Sequence, residues 1–348
     1  MREQGKHQTT PARSRSPSSR LTAALGFLLT PLPASCEDAP SALDPSGPGA
    51  ETIAGLWWLM LILATIVALV TFTFLGIALW RSRQGRPVEK PLGLDGQHFV
   101  ILAGAIVPTA ILLFLTVSTL DVMADLDEPP EPPSHVIEIT GWMWWWEVVY
   151  PDAGVVTANE IHIPAGQTVE LRLTSADVIH SFWVPEISGK IDLMPGSENT
   201  FWIKADEPGI YRGQCAEFCG VQHALMAKLL IVQEPEEYQA WLEHMAQPAP
   251  TPTEPVQQHG LDVFMQSQCR FCHTIRGTDA RGDVGPELTH LMSRQTLGAV
   301  TIRNSTGNLA AWVADPHQFK PGVKMPAFVD DIVGEDFQAL IAYLASLE

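Results

Sequence analysis

At 348 residues, with 46% hydrophobic residues and 28 prolines, the chain exceeds one ordinary domain and reads as several segments of different character. Its 21 basic and 39 acidic residues give a net charge of −18, which repels nucleic acid and suits a basic protein partner. Four of the five cysteines fall into two close pairs, Cys215 with Cys219 and Cys269 with Cys272, while Cys36 stands apart. Disulfides and cofactor ligation both have to be weighed for each pair.

Residues 1–35 read as a signal peptide: a polar start carrying Arg2, Lys6, Arg13, Arg15 and Arg20 runs into the apolar stretch Leu21 to Leu32. Pro33-Ala34-Ser35-Cys36 resembles a lipoprotein cleavage box, with proline where leucine is usual; ordinary cleavage near Ser35 is the other reading. An exported segment, 36–55, follows. Residues 56–80 and 99–120 carry no charge, and each is long enough to cross a hydrocarbon core as a helix. The loop between them, 81–98, holds Arg81, Arg83, Arg86 and Lys90, whereas Glu37, Asp38, Asp44 and Glu51 precede the first span without a lysine or arginine. The positive-inside rule puts that loop in the cytoplasm and everything after Asp121 on the periplasmic or outer side.

Past the acidic, proline-rich stretch Asp125 to Pro133, residues 134–235 alternate Val and Ile with polar residues between Pro and Gly turns. Val136 to Thr140, Thr168 to Leu173 and Leu229 to Val232 read as strands of a compact antiparallel sandwich or barrel. Cys215-Ala-Glu-Phe-Cys219-Gly-Val-Gln-His223-Ala-Leu-Met226 gathers two thiols, an imidazole and a thioether, and His180 lies upstream in Val178-Ile-His-Ser-Phe-Trp-Val-Pro185. Thiolate and thioether sulfur with imidazole nitrogen suits copper. A Cys215–Cys219 disulfide or a structural zinc held by two cysteines and two histidines is the plainer alternative, but neither gives Met226 a role. One thiolate would make a mononuclear blue site. Two can bridge two coppers, each capped by a histidine, so that a shared electron lowers the reorganisation of each transfer.

On these residues the sequence resembles subunit II of haem-copper cytochrome c oxidase, over both membrane spans and the whole of 134–235. The resemblance implies a two-helix transmembrane hairpin followed by an all-β, cupredoxin-like Greek-key sandwich. It implies a dinuclear copper (CuA) centre held by His180, Cys215, Cys219, His223, Met226 and the backbone carbonyl of Glu217, with the Glu217 side chain reaching a magnesium ion shared with subunit I. Gly141-Trp-Met-Trp-Trp-Trp-Glu-Val-Val-Tyr150 resembles the family's aromatic stretch, with Met143 where the family has Gln. Trp144 and Trp146 are the matched residues, and by the resemblance Trp144 takes in electrons above the copper. Trp142 and Trp145 are expected only to wedge the sandwich at the membrane interface. Where many relatives place a glutamate at the mouth of a proton channel, this chain has Ile101; His98, the nearest titratable group, reads as a solvated flank.

A helix over 236–246 and the spacer Gln247 to Val256, with its four prolines, mark a boundary at 236–256, the prolines favouring an extended, semi-rigid conformation. Residues 257–348 read as a small all-α domain, with helical patterns around 260–267 and 335–347. Cys269-Arg-Phe-Cys272-His273 is the C-x-x-C-H signature of covalent haem c, the thiols adding to the vinyl groups and the histidine binding iron. Lys324-Met325-Pro326 before the last helix resembles the cytochrome c pattern and nominates Met325 as the second axial ligand, with Met292, His290 and His317 as rivals. Gly285-Pro286 resembles the loop whose carbonyl receives the ring proton of the proximal histidine.

The order of segments resembles subunit II of oxidases with a fused C-terminal cytochrome c domain. The resemblance implies a bacterial inner-membrane subunit that passes electrons from a cytochrome c or the preceding respiratory complex through haem c and copper to subunit I, with subunit III as a further partner. The complex would be a proton-translocating oxidoreductase reducing oxygen to water, with the oxygen chemistry outside this chain. Nitrous oxide reductase shares the copper motif but lacks the hairpin, and quinol oxidase subunit II lacks the cysteines. A nitric oxide reductase with a similar copper subunit is the remaining alternative. Residues 134–235 carry 13 acidic and 5 basic residues (net −8) and residues 257–348 carry 10 and 7 (net −3), so the two domains are expected to repel weakly. On that reading the linker alone brings haem to copper, by raising effective concentration.

Overall fold

The computed structural model describes residues 39–86, 93 and 95–348; the signal peptide, Cys36 and Lys90 lie outside the described residues. Helix α1 (Pro48–Arg83) and helix α2 (Gly96–Asp127) are both longer than the uncharged runs that announced them. The termini of α1 suit extension: Pro48 needs no amide partner in the first turn, Glu51 faces the positive end of the helix dipole, and Arg81 and Arg83 face the negative end. Asp95 caps α2 by accepting from the His98 amide at 2.9 Å, and it also holds the His98 ring at 2.7 Å. One π-helical turn, Leu102–Ile106, interrupts α2 before Pro108. At about 1.5 Å per residue, α1 outruns a ~30 Å hydrocarbon core. Its excess docks on the following domain, where Ala50 donates its amide to Ile187 O at 3.1 Å. A Cβ on Gly47 would stand 2.2 Å from Lys204 O, so only glycine fits this approach. Trp202 ties down the other helix through Nε1–H to Leu126 O at 2.8 Å.

The sandwich comprises β1 (His135–Trp142), β2 (Trp145–Tyr150), β3 (Val155–Ala158), β4 (Glu160–Pro164), β5 (Val169–Ser175), β6 (His180–Phe182), β7 (Ile191–Leu193), β8 (Asn199–Ile203), β9 (Gly209–Gln214) and β10 (Ala227–Gln233). One sheet runs β3-β2-β1-β5-β8, the other β4-β10-β9, and β6 pairs with β7. The pairs β1–β5 and β4–β10 are parallel, so the antiparallel expectation holds only for the remaining pairings; the chain crosses between sheets at β3–β4 instead of meandering. Alternation along β1 and β5 turns Ile137, Ile139, Leu171 and Leu173 inward against Ile161, Ile163, Leu230 and Val232 of the facing sheet. Helix α3 (Pro235–Met245) closes one end with Tyr238, Leu242 and Met245.

Beyond the spacer come α4 (Pro255–Gln266), α5 (Cys269–Cys272), α6 (Thr306–Ala314) and α7 (Gly334–Leu344), with a two-residue-strand hairpin, β11 (Thr296–Leu297) and β12 (Ile302–Arg303), between α5 and α6. Helices α4 and α7 cross at Gly260, where a Cβ would lie 2.0 Å from Ala339 O. Phe264 and Tyr343 fill the crossing.

The helical domain is fastened to the sandwich, which corrects the expectation of a domain held only by its tether. The buried Glu160 carboxylate accepts from Gln295 N at 2.9 Å, Thr296 N at 3.0 Å and Thr296 Oγ1 at 3.1 Å. Gln222 donates to Pro321 O, Lys320 Nζ donates to Trp144 O at 3.1 Å, and Lys324 Nζ lies 3.6 Å from Asp177 Oδ2. Net charge misled because the contacts are local and complementary, with cations of the acidic helical domain meeting carboxylates and carbonyls of the sandwich. The first part of the spacer is pinned as well: Ala249 N donates to Arg276 O at 2.9 Å, and His290 bonds Gln247 O at 3.0 Å.

Candidate metal centre and haem pocket

The twelve-residue loop from Cys215 to Met226 leaves β9 and returns into β10, closed at its neck by Cys215 N–H to Met226 O at 2.9 Å. His180 opens β6 beside it, and Ala216 N–H to Ser181 O at 3.1 Å joins loop and strand. Gly141 in β1 makes room for the imidazole, since a Cβ there would stand 2.8 Å from the His180 ring. The loop turns at Gly220, whose φ of +110° is glycine territory, under the Trp144 ring.

The nominated donors converge. Cys215 Sγ lies 3.9 Å from His180 Nδ1, 3.8 Å from Cys219 Sγ and 3.3 Å from the Glu217 carbonyl oxygen. Cys219 Sγ lies 3.7 Å from His223 Nδ1 and 3.8 Å from Met226 Sδ. Both thiols are free, and a disulfide would bring the sulfurs to about 2.05 Å. Two sulfurs bound at about 2.3 Å to one tetrahedral ion stand about 3.8 Å apart, so the spacing excludes a disulfide and has room for a shared ion. His180, Cys215, Cys219 and Met226 are buried. The hydrogen bond from Cys219, aided by His180, pulls the Cys215 thiol far below its ordinary range, and the same bond pushes Cys219 up.

Asp177, which the sequence reading passed over, organises the surroundings. It bonds His180 Nε2 at 2.9 Å, fixing the ring so that Nδ1 faces the sulfurs. Its other oxygen accepts from Met143 N at 2.8 Å and pairs with Lys324. These bonds outweigh burial and hold its carboxyl below the usual range. A lone aspartate three residues before a histidine gave no signal. The Glu217 side chain pairs with Lys190 at 3.8 Å; among the described residues the only cluster fit to hold a metal is His180 with the two cysteines.

The second site is a cavity of about 310 Å3 lined by Cys269, Cys272, His273 and Met325. His273 donates from Nδ1 to Pro286 O at 2.7 Å, which leaves Nε2 with a free lone pair. Burial lowers its pKa and keeps the ring neutral, as a ligand requires. Gly285 permits the approach, as a Cβ would lie 2.7 Å from His273 Cε1. Of the rivals to Met325, His290 is spent on Glu348 O and Gln247 O, His317 is exposed, and neither they nor Met292 line the cavity.

One wall of this cavity comes from the sandwich: Trp142, Met143, Trp144 and Trp145. Trp142 and Trp145, stacked at 5.8 Å, therefore face the helical domain, which corrects their assignment to the membrane interface; five consecutive positions of aromatic-rich chain, 142–146, could not show which surface they cover. Trp144 belongs to both sites, since it lines the cavity and donates Nε1–H to Cys219 O at 2.9 Å. Trp146 is wholly buried, with the Lys228 ammonium 4.0 Å from its ring centre.

Residues 154–234 match the family described as cytochrome c oxidase subunit II, periplasmic domain, and residues 257–348 match cytochrome c. Cytochrome c oxidase subunit 2 of Alkalihalophilus pseudofirmus is 38% identical over 319 residues, covering 90% of this chain and 92% of that one. The Bacillus subtilis protein of the same name is 30% identical over 328 residues, covering 88% and 92%. The solved periplasmic domain of subunit II of the Bradyrhizobium japonicum cytochrome oxidase is 33% identical, with 33% of this chain and 95% of that chain covered and a TM-score of 0.32.

Fold and sites together define a membrane-anchored electron-transfer subunit with a cupredoxin-like domain and a cytochrome c domain. The chain belongs to the cytochrome c oxidase subunit II family. It is thus part of a haem-copper oxidase, an oxidoreductase complex built with other subunits.

Proposed function

We propose that this chain is the subunit through which electrons enter a terminal oxidase, passing from an external donor to a covalent haem c, then to a dinuclear CuA centre, and on to the oxygen-reducing subunit I. The observation that carries this reading is the position of Trp144, one face of which lines the haem cavity while its indole N–H binds the carbonyl of Cys219. His180, Cys215, Cys219, His223, Met226 and the Glu217 carbonyl would hold two coppers. Cys269 and Cys272 would attach the haem, with His273 and Met325 on its iron. Bound there, the copper pair and the haem supply one-electron chemistry, shared valence keeping the reorganisation of the pair small.

The chain's own residues do the rest. Asp177 orients His180, and Pro286 orients His273. Burial of both cysteines keeps water from the sulfurs, and the wall Trp142 to Trp145 replaces solvent between the two sites. Trp144 is the group through which an electron leaves the haem pocket. The half-exposed Glu217 carboxylate, now held by Lys190, would turn to a magnesium ion shared with subunit I. We place the chain in a bacterial inner membrane, its leader 1–35 removed, loop 81–98 in the cytoplasm, both cofactor domains in the periplasm, and subunits I and III beside the hairpin. A cytochrome c or the preceding respiratory complex would be the donor.

Electron paramagnetic resonance of the copper-loaded chain tests the centre. One unpaired electron shared equally by two copper nuclei is expected. A signal confined to one nucleus, or a zinc-only protein, would overturn the dinuclear reading.

A further inference from the structure

Lys320 is a lysine of the helical domain with 1% of its surface exposed. Its ammonium carries three donors. One goes to Trp144 O at 3.1 Å across the domain boundary, one to Gly298 O at 3.1 Å within its own domain, and the side chain also lines the haem cavity. Gly298 has no room for a side chain, because a Cβ there would strike the Trp312 ring at 2.6 Å. Burying an ammonium is costly and is tolerated where it is bonded. This one connects the wall of the haem cavity to the main chain of one residue in the neighbouring domain. That residue is held at its other end too, by its indole N–H on Cys219 O. Trp144 is thereby gripped between the two domains, carbonyl on one side and indole on the other.

We propose that Lys320 is a positioning residue for electron transfer: it holds Trp144 in register between the haem pocket and the copper loop, so that transfer from the fused domain is set by one cross-domain bond. The proposal rests on the electron path given above. A charge-assisted bond in a buried boundary is stronger than a neutral one, and its loss leaves the Trp144 carbonyl bare, whereas Gly298 O keeps Thr301 Oγ1 at 2.6 Å. Small displacement of a coupling group is expensive in rate.

The test is made on the complete oxidase. After photoreduction of the haem, electron arrival at copper is timed in the native protein, Lys320→Met, Lys320→Arg, Trp144→Phe, and the double variant Lys320→Met with Trp144→Phe. Lys320→Met is expected to slow transfer on the order of tenfold, Lys320→Arg to restore most of the rate, and the double variant to be no slower than Trp144→Phe alone, because both changes act on the same group. Multiplying effects in the double variant would mean that Lys320 merely fastens the domain, and an unchanged rate in Lys320→Met would mean that it does neither; both overturn the inference. No transfer from haem to copper in the native protein would instead overturn the electron path, and the inference with it. Should Lys320→Met fail to hold its cofactors, the indole N–H Raman band of Trp144 in the metal-free full chain decides, identified by its loss in Trp144→Phe. It should shift toward a weaker hydrogen bond in Lys320→Met and return in Lys320→Arg; a band unmoved by Lys320→Met contradicts the proposal.

Discussion

The copper loop and the haem pocket are built on opposite principles. The sandwich supplies every nominated donor of its site: β9, β10 and β6 fix the loop and His180, and the sulfurs stand 3.8 Å apart. The haem pocket draws Cys269, Cys272, His273 and Met325 from its own domain, yet borrows a wall of tryptophans from the neighbouring one. A site made within one rigid scaffold survives separation, whereas a site completed across a boundary depends on docking.

The largest expected effect comes from the self-sufficient site. On the dinuclear reading, replacing Cys215 or Cys219 by serine would remove a bridging thiolate, and the shared-valence signal should vanish altogether, while Met226→Leu should leave copper bound at a changed potential. Persistence of the shared signal in Cys219→Ser would show that the sulfurs do not bridge. Next in size is iron: Met325→Ala should abolish the sulfur-to-iron charge-transfer band of the oxidised haem and leave the attachment at Cys269 and Cys272 intact. A surviving band would return Met292 to consideration.

The sandwich and the convergence of the nominated donors were legible because their signals are local: a soft-ligand loop of twelve residues, and period-two alternation in β1 and β5. His273 with Pro286 was legible as a motif. The domain boundary was not. Its contacts, Glu160 to Gln295 and Thr296, Asp177 to Lys324 and Lys320 to Trp144, join residues more than a hundred positions apart, and no periodicity or spacing marks them. Domain-level net charge pointed the wrong way because it averages over surfaces that never meet. The parallel pairs β1–β5 and β4–β10 were hidden for the same reason, since alternation is alike in parallel and antiparallel strands.

The boundary yields two smaller effects. Glu160→Gln keeps the shape of the clamp but exchanges a carboxylate accepting three close bonds for a neutral amide, and should weaken docking by about 2 kcal/mol, read as earlier thermal undocking of the helical domain with the copper signal unchanged. No change in undocking temperature would mean that the clamp is incidental. Away from the boundary, His162 lies stacked on Trp241 with centroids 3.9 Å apart and bonded to Gln233 at 2.8 Å, and burial lowers its pKa to about 4. The unfolded chain, with an ordinary imidazole near 6.5, binds the proton first as pH falls. The sandwich should keep its full stability above pH 6.5 and lose it toward pH 4, by at most on the order of 3 kcal/mol. In His162→Gln, denaturant unfolding followed across that window should show a shallower fall; an identical slope would place the acid sensitivity elsewhere.

If the two domains are docked, the covalent link between them is dispensable for internal transfer. A protease site placed between Pro250 and Glu254, beyond the spacer residues pinned by Arg276 and His290, can be cut in the assembled oxidase and haem-to-copper transfer timed before and after. The packed boundary predicts that the severed domain stays bound and that the rate is unchanged and independent of protein concentration. A reaction that turns slow and bimolecular on cleavage would show that the tether, and not the Trp144 boundary, brings haem to copper.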